Sequence, residues 1–388
     1  MPQVYLDHAA TTPLDPAVFD AMEPYLRDHF GNASSVHQLG RQARVALEEA
    51  RERVAGCLGA EPSEIVFTSG GTESDNMAVK GTLQARKGEG RTGLVTSAAE
   101  HEAVLRPAER LAEQNDDVTI LDPARRGAVT VDQVASAVDS NTALVSLMHA
   151  NNETGVMTDV PAIAEVCRQH DVWFHCDAVQ TAGLLDLDVK ALGVDLLSVS
   201  GHKFYGPKGV GVLYVRGGVE LGPLVEGGSQ ERERRGGTEN IAAIVGLAEA
   251  LERATAESEA RTEHLSALQR RLVDGLDDAA NGPYVLNTPI DDAPTAPHVV
   301  NVAFPPSDAG QIDGEMLILN LDMQGVLVSA GSACTSGAME PSHVLTALGL
   351  DRPTAATGVR FSLGKDTTDA DIDYALETLH DTLQRMRG

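Results

Sequence analysis

Between residues 65 and 215 the chain repeats one pattern: a short apolar run, a turn, an amphipathic stretch, then another apolar run. No other feature restricts its fold so strongly. Seven runs read as strands, at 65–68, 94–97, 118–121, 143–148, 172–176, 196–199 and 210–215. Helical periodicity fills most of the gaps, at 72–85, 103–113, 131–138 and 160–169. Runs this short and this apolar are strands buried on both faces. Alternating with helices, they predict an α/β fold with a mostly parallel, seven-stranded sheet covered by helices.

The flanks are less regular. Asp15-Pro16 offers an N-cap followed by proline at the first helical position, and 35–58 reads as one long amphipathic helix. Residues 239–280 are helical and charged, suited to bridging two domains. Apolar stretches then thin out, with strands at 299–304, 326–328 and 359–362 and helices at 311–321, 342–348 and 369–385. The shift predicts a large domain over 13–255 and a smaller α+β domain over 256–388, against which residues 1–12 pack.

Composition removes several function classes. The 388 residues suffice for two or three domains. No apolar run approaches the ~20 residues of a membrane helix, so no membrane partner is expected. With 57 acidic and 30 basic residues the net charge is −27, which argues against direct nucleic-acid binding. Four scattered cysteines without a CxxC exclude a disulfide scaffold and a zinc ribbon, and no metal is expected. The opening MPQVYLDHAATTPLDP has neither a basic nor an apolar leader segment, which predicts a cytoplasmic protein. Only 6 of the basic residues are lysine. Surplus carboxylate with little lysine predicts a protein kept soluble in high salt, from a salt-loving source.

Three turns carry chemistry. The GxGxxG at 88–93 follows a helix and precedes a strand, the reverse of a dinucleotide site, and reads as a loop. Ser69-Gly70-Gly71-Thr72 has the right order, strand then helix, and its glycines let an anion approach the helix N-terminus. In SVSGHKFYGPKG, Lys203 follows a strand directly, where open α/β sheets bind ligands, and a buried amine there forms Schiff bases. Asp177, ending the preceding strand, suits a protonated pyridine nitrogen, and Gln180 a ring hydroxyl. Anion loop, Asp and Lys, each after a strand, point to pyridoxal phosphate.

Taken with YLDHAATTP, GNASSVH, FTSGGTESDN, EHEAV, ANNETGV, HCDAVQTAG, RRGGTEN, SAGSACTS and VRFSLG, these residues resemble the pyridoxal-phosphate-dependent cysteine desulfurases of the NifS/IscS type, within the fold type I superfamily. The resemblance runs nearly end to end. It implies that Lys203 holds the cofactor and that Asp177 and Gln180 meet the ring nitrogen and hydroxyl. His101 stacks on the ring and assists proton transfer, and Gly71, Thr72, Ser200 and His202 hold the phosphate. Thr238 reaches the phosphate of the other subunit, which implies a homodimer. Asn152 and Arg360 bind the substrate carboxylate, and Cys334 accepts the sulfur.

The implied reaction converts L-cysteine to L-alanine and leaves a persulfide on Cys334. A sulfur acceptor is then expected: an iron–sulfur scaffold, a tRNA-thiolation enzyme or a sulfur carrier. A selenocysteine lyase or an aminotransferase on the same fold is the alternative, although an aminotransferase has no use for Cys334. The segment around it, 329–337, is built of small residues and reads as a mobile loop, whereas Cys57, Cys167 and Cys176 read as inert apolar fillers. Two positions depart from the family pattern as expected: His298 stands where Asn is expected, and Cys176 where an apolar residue is usual.

Overall fold

A computed structural model of the chain describes residues 3–114, 117–124, 127–307, 310–330 and 341–387. Its strands are β1 (Val4–Tyr5), β2 (Ile65–Thr68), β3 (Gly93–Ser97), β4 (Val118–Leu121), β5 (Thr142–Met148), β6 (Trp173–Asp177), β7 (Leu196–Ser200), β8 (Gly211–Val215), β9 (Val285–Leu286), β10 (Val299–Ala303), β11 (Val326–Leu327) and β12 (Val359–Ser362). All seven apolar runs of the first paragraph become strands of one sheet, in the order β2-β8-β7-β6-β5-β3-β4. Neighbours from β7 through to β4 are parallel. Only β8 runs against its neighbours β2 and β7.

Side chains along each strand alternate between the two faces. Ile65, Phe67, Val212 and Tyr214 enter a core with the helices Gln38–Leu58 and Ile241–Ala256, while Val66, Leu213 and Val215 enter one beneath the helix Gly71–Arg86. Burial on both faces explains why these strands lack polar alternation.

A second body is built on a three-stranded antiparallel sheet, β12-β10-β9, and on the helices Ser258–Asp274 and Asp369–Arg387. Leu265, Leu268, Phe304, Phe361 and Leu379 form its core, joined by Val4 and Leu6. The N-terminal strand β1 pairs in parallel with β11. The chain therefore passes from one core to the other between Ala254 and Leu265, and the segment 7–12 hydrogen-bonds both bodies, Ala9 to Ser362 and Thr12 to His202. Asp15 caps the helix Pro16–Arg27 through its side chain, as its sequence position requires.

Candidate active site

A cleft of about 460 Å³ opens at the C-terminal ends of the parallel strands. That is the edge where helix N-termini and strand-end turns leave backbone donors free. Gly71 and Thr72 come from the turn after β2, His101 from that after β3, and Asn152 from that after β5. Asp177 and Gln180 follow β6, and Ser200, His202 and Lys203 follow β7. Arg360 reaches in from β12. The topology thus brings together ten of the residues read from sequence.

Lys203 lies in a short turn over Gly201–Lys203, and its Nζ donates to the carbonyls of Ala9 and Ala10 at 2.5 and 2.9 Å. Burial, reinforced by Arg360, brings its pKa down to about 8 against the opposing pull of Asp177 and Asp7. Asp177 is buried, with Oδ1 accepting from the Val179 N–H at 2.9 Å. Burial raises its pKa, and His101 and Lys203 pull it back. A buried carboxylate facing the Lys203 amine suits a protonated ring nitrogen.

His101 faces the open cleft and caps the helix Glu102–Glu113, its Nδ1 accepting from the Ala103 N–H at 3.1 Å. That bond fixes the neutral ring with its proton on Nε2. Desolvation lowers its pKa, Asp177 opposing. His202 is likewise held neutral by burial, near a pKa of about 4, with Nδ1 3.1 Å from the Thr11 hydroxyl.

At the end of the cleft formed by the start of the helix Gly71–Arg86, Gly70 has φ of 145° and ψ of −179°, a conformation essentially confined to glycine. A Cβ at Gly71 would lie 2.9 Å from Val179. Backbone therefore approaches closely where an anion meets the helix start.

At the opposite end, Arg360 is buried and bidden by three partners of its own chain. Nη2 pairs with Asp7 at 2.8 Å and Nη1 donates to the Asn152 carbonyl at 2.9 Å, while its backbone bridges Ser329. Its Nε, and the Oδ1 of Asn152, are buried without a hydrogen-bond partner among the described residues. One unpartnered donor and one unpartnered acceptor beside a lysine can be satisfied by a ligand that offers both, as an amino acid does. The residues thus fit pyridoxal phosphate: an amine near neutrality, a buried carboxylate for the ring nitrogen, and a glycine cradle with hydroxyls for the phosphate.

Thr238 is not in this cleft. It is exposed and lines a separate cavity with Ser69 and Arg235. Cys334 lies in 331–340, outside the described residues. The described chain on either side of that segment is tied to the site. Ser329 lines the cleft, and Ser342 donates to the buried Glu153 carboxylate at 2.5 Å. Cys167 and Cys176 are buried, which raises both thiols, Cys167 to about 12, so neither forms thiolate readily. Cys57 is half-buried, and its thiol is also raised by burial.

Sequence reasoning missed four contributors. Asp7 and the carbonyls of Ala9 and Ala10 reach the site from the N-terminal segment, and Asp75 lines it from the helix Gly71–Arg86. Asp75 tops a polar row across the sheet. His175 Nδ1 lies 2.8 Å from the Ser146 hydroxyl and its Nε2 2.9 Å from that of Ser198, which also hydrogen-bonds Asp75. Burial, then the Asp177 charge, holds Asp75 well above the usual carboxylate range, and burial brings His175 down to about 3. The available signal was the polar residues that interrupt these apolar runs, Ser146 in β5, His175 and Asp177 in β6, and Ser198 and Ser200 in β7.

The family model described as Aminotransferase class-V matches residues 4–375. The chain is similar to the cysteine desulfurase IscS of Dictyoglomus turgidum, 44% identical over 385 residues, 99% of this chain and 95% of that protein. Among solved structures it is similar to a NifS-like protein with a TM-score of 0.90 and 36% identity, covering 99% of this chain and 100% of that one. A structure described as SspA in complex with cysteine matches with a TM-score of 0.81 and 38% identity, over 94% of this chain and 100% of that one.

Proposed function

The chain belongs to the aminotransferase class-V family and is a pyridoxal-phosphate-dependent cysteine desulfurase, and on that premise we propose which residues carry the reaction. Lys203 binds the cofactor covalently. Asp177 holds the ring nitrogen, Gln180 the ring hydroxyl, and His101 the ring face. Gly71, Thr72, Ser200 and His202 hold the phosphate, joined by Thr238 of the second subunit of a homodimer. When bound, the cofactor supplies an electron sink for the pair left at the substrate Cα.

Arg360 would orient the carboxylate of L-cysteine through Nε, a donor without a partner among the described residues, and Asn152 through its side-chain amide N–H, its unpartnered Oδ1 being left for a donor such as the substrate amine. Lys203, its basicity lowered by burial, would take the Cα proton. The Cys334 thiolate attacks the substrate sulfur, so that an S–S bond forms as the C–S bond breaks. The products are L-alanine and a Cys334 persulfide, whose outer sulfur passes to an acceptor: an iron–sulfur scaffold, a tRNA-thiolation enzyme or a sulfur carrier. The reading keeps a large domain over 13–255 and a smaller one over 256–388 with 1–12, the latter carrying the Cys334 segment. It places the protein in the cytoplasm of a salt-loving organism. Among the described residues no helix is long and apolar enough to cross a membrane.

The observation that carries the reading is the shared cleft of Lys203, Asp177 and the two orphaned atoms of Asn152 and Arg360. Cys334→Ser tests it. A hydroxyl cannot accept sulfane sulfur, so this variant should change colour on adding cysteine yet lose nearly all sulfide and alanine release. Sulfide output near the wild-type level overturns the persulfide route. Alanine formed by the wild-type enzyme without a keto acid separates it from an aminotransferase.

A further inference from the structure

His298 lies immediately before β10, its backbone carbonyl accepting from the Leu363 N–H at 2.8 Å. It is 5% exposed, and its ring hydrogen-bonds the active-site residue Gln180. Gln180 Nε2 donates to the Ala9 carbonyl at 3.1 Å, and Gln180 Oε1 lies 3.2 Å from His298 Nε2.

The polarity of this chain is fixed by its end. A carbonyl only accepts, so the Gln180 atom facing Ala9 is the amide nitrogen. The amide oxygen then faces His298, whose Nε2 must carry a proton. Nδ1 is left as a bare acceptor, without a partner among the described residues. The same ring lines a cavity of about 30 Å³ with Gln180, Lys203, His8, Arg261 and Lys365, room for a bridging water. The ionisable groups facing His298 are Arg360, His8 and Lys203, all basic, and with burial they keep the imidazole neutral, at about 3.

We propose that His298 is a positioning residue for the cofactor ring: it locks the Gln180 amide so that an N–H, and not the oxygen, meets the ring hydroxyl. The proposal rests on the assignment of Gln180 to that hydroxyl. Gln180 has two N–H groups, and Ala9 takes one. The second is free for the ring oxygen only while the amide is held in this sense. Without a donor at position 298 the amide oxygen loses its partner, and only the bond to the Ala9 carbonyl is left to keep the amide from turning over and setting lone pair against lone pair. An N–H on the ring oxygen stabilises its negative charge and weakens its pull on the proton carried by the Lys203 nitrogen. Losing it should raise the pH at which that proton leaves.

The test titrates the visible absorption band of the holoenzyme against pH, with melting curves and cofactor content as controls. Gln180→Ala and His298→Leu should each raise the midpoint by about one pH unit, the worth of one hydrogen bond to a charged oxygen. His298→Gln, which restores a donor, should titrate like the wild type. The double variant Gln180→Ala/His298→Leu should match Gln180→Ala alone. His298→Met, of similar volume and without a donor, repeats the arm if the leucine variant does not fold. A shifted Gln180→Ala beside an unshifted His298→Leu overturns the proposal, as does full additivity in the double variant. An unshifted Gln180→Ala removes the Gln180 assignment itself, and the proposal with it.

Discussion

At Lys203 the fold strips water from an amine and offers it two backbone carbonyls in exchange. Burial and Arg360 outweigh Asp177 and Asp7, so the amine titrates at about 8. A Schiff base forms from the neutral amine. Uptake of pyridoxal phosphate by the apoprotein should therefore quicken with pH and level off just above about 8. A rate still climbing beyond about pH 10 shows an ordinary lysine. The linkage has a definite sign. The unfolded state binds the proton more tightly between about 8 and 10.5, so the burial penalty is full below that window and relieved as pH rises through it. Lys203→Met should accordingly raise the apoprotein melting point more at about pH 7 than at about pH 10. Lys203 and Asp177 were legible in the sequence because each directly follows an apolar run. Asp7 was not, because its ion pair joins it to Arg360 across 353 positions. Ala9 acts through a carbonyl, which no side-chain pattern reveals.

The elements of the large sheet were legible because its strands, apart from the partly exposed edge strand β4, are buried on both faces and most of its helices on one. Its orientation was less so. Periodicity says that β8 is a strand, not which way it runs. The clue was the link from Ser200 to Gly211, too short to hold the crossover helix that a parallel neighbour requires. Strands β1 and β9, of two residues each, are too short to show any period. The loop ahead of Thr238 was also hidden. Glu231, Arg232 and Glu233 have φ of 45°, 57° and 67°, each costing about 1–3 kcal/mol unless held. What holds them is a buried fork. Arg51, from the helix Gln38–Leu58, meets both Glu231 oxygens at 2.8 Å, and the Phe67 N–H donates to one of them. Arg51→Met leaves the buried carboxylate without its cation, with the Phe67 N–H still donating to it, and should cost about 3–5 kcal/mol. Arg51→Met/Glu231→Leu should recover part of that loss. Denaturant midpoints measure both, and a neutral Arg51→Met shows that the fork does not hold the loop.

Over the whole molecule, a net charge of −27 sets a field that salt must screen. Melting points should rise from low to molar KCl, and a flat response removes the salt-loving source. Assembly has a sharper test. Phe19, Leu26, Phe30 and Val36 are 46%, 58%, 73% and 88% exposed, an apolar surface that a second copy would cover. Thr238 lines a cavity apart from the Lys203 cleft, and its loop is pinned to the start of the helix Gly71–Arg86, where Arg235 pairs with Glu73 at 2.9 Å. Such a threonine can serve the partner's phosphate. Losing its hydrogen bond to a charged oxygen should weaken cofactor binding about tenfold to a hundredfold in the Thr238→Ala homodimer. Mixing that chain with a Lys203→Ala chain tells trans from cis. In the heterodimer the only intact lysine lies in the chain carrying Ala at 238, while the intact threonine lies in the other. If Thr238 acts across the interface, the lysine-bearing site is complete. The purified heterodimer should then bind cofactor and release sulfide, per lysine, like the wild type. If it stays at the level of the Thr238→Ala homodimer, the threonine serves its own subunit and the trans assignment falls.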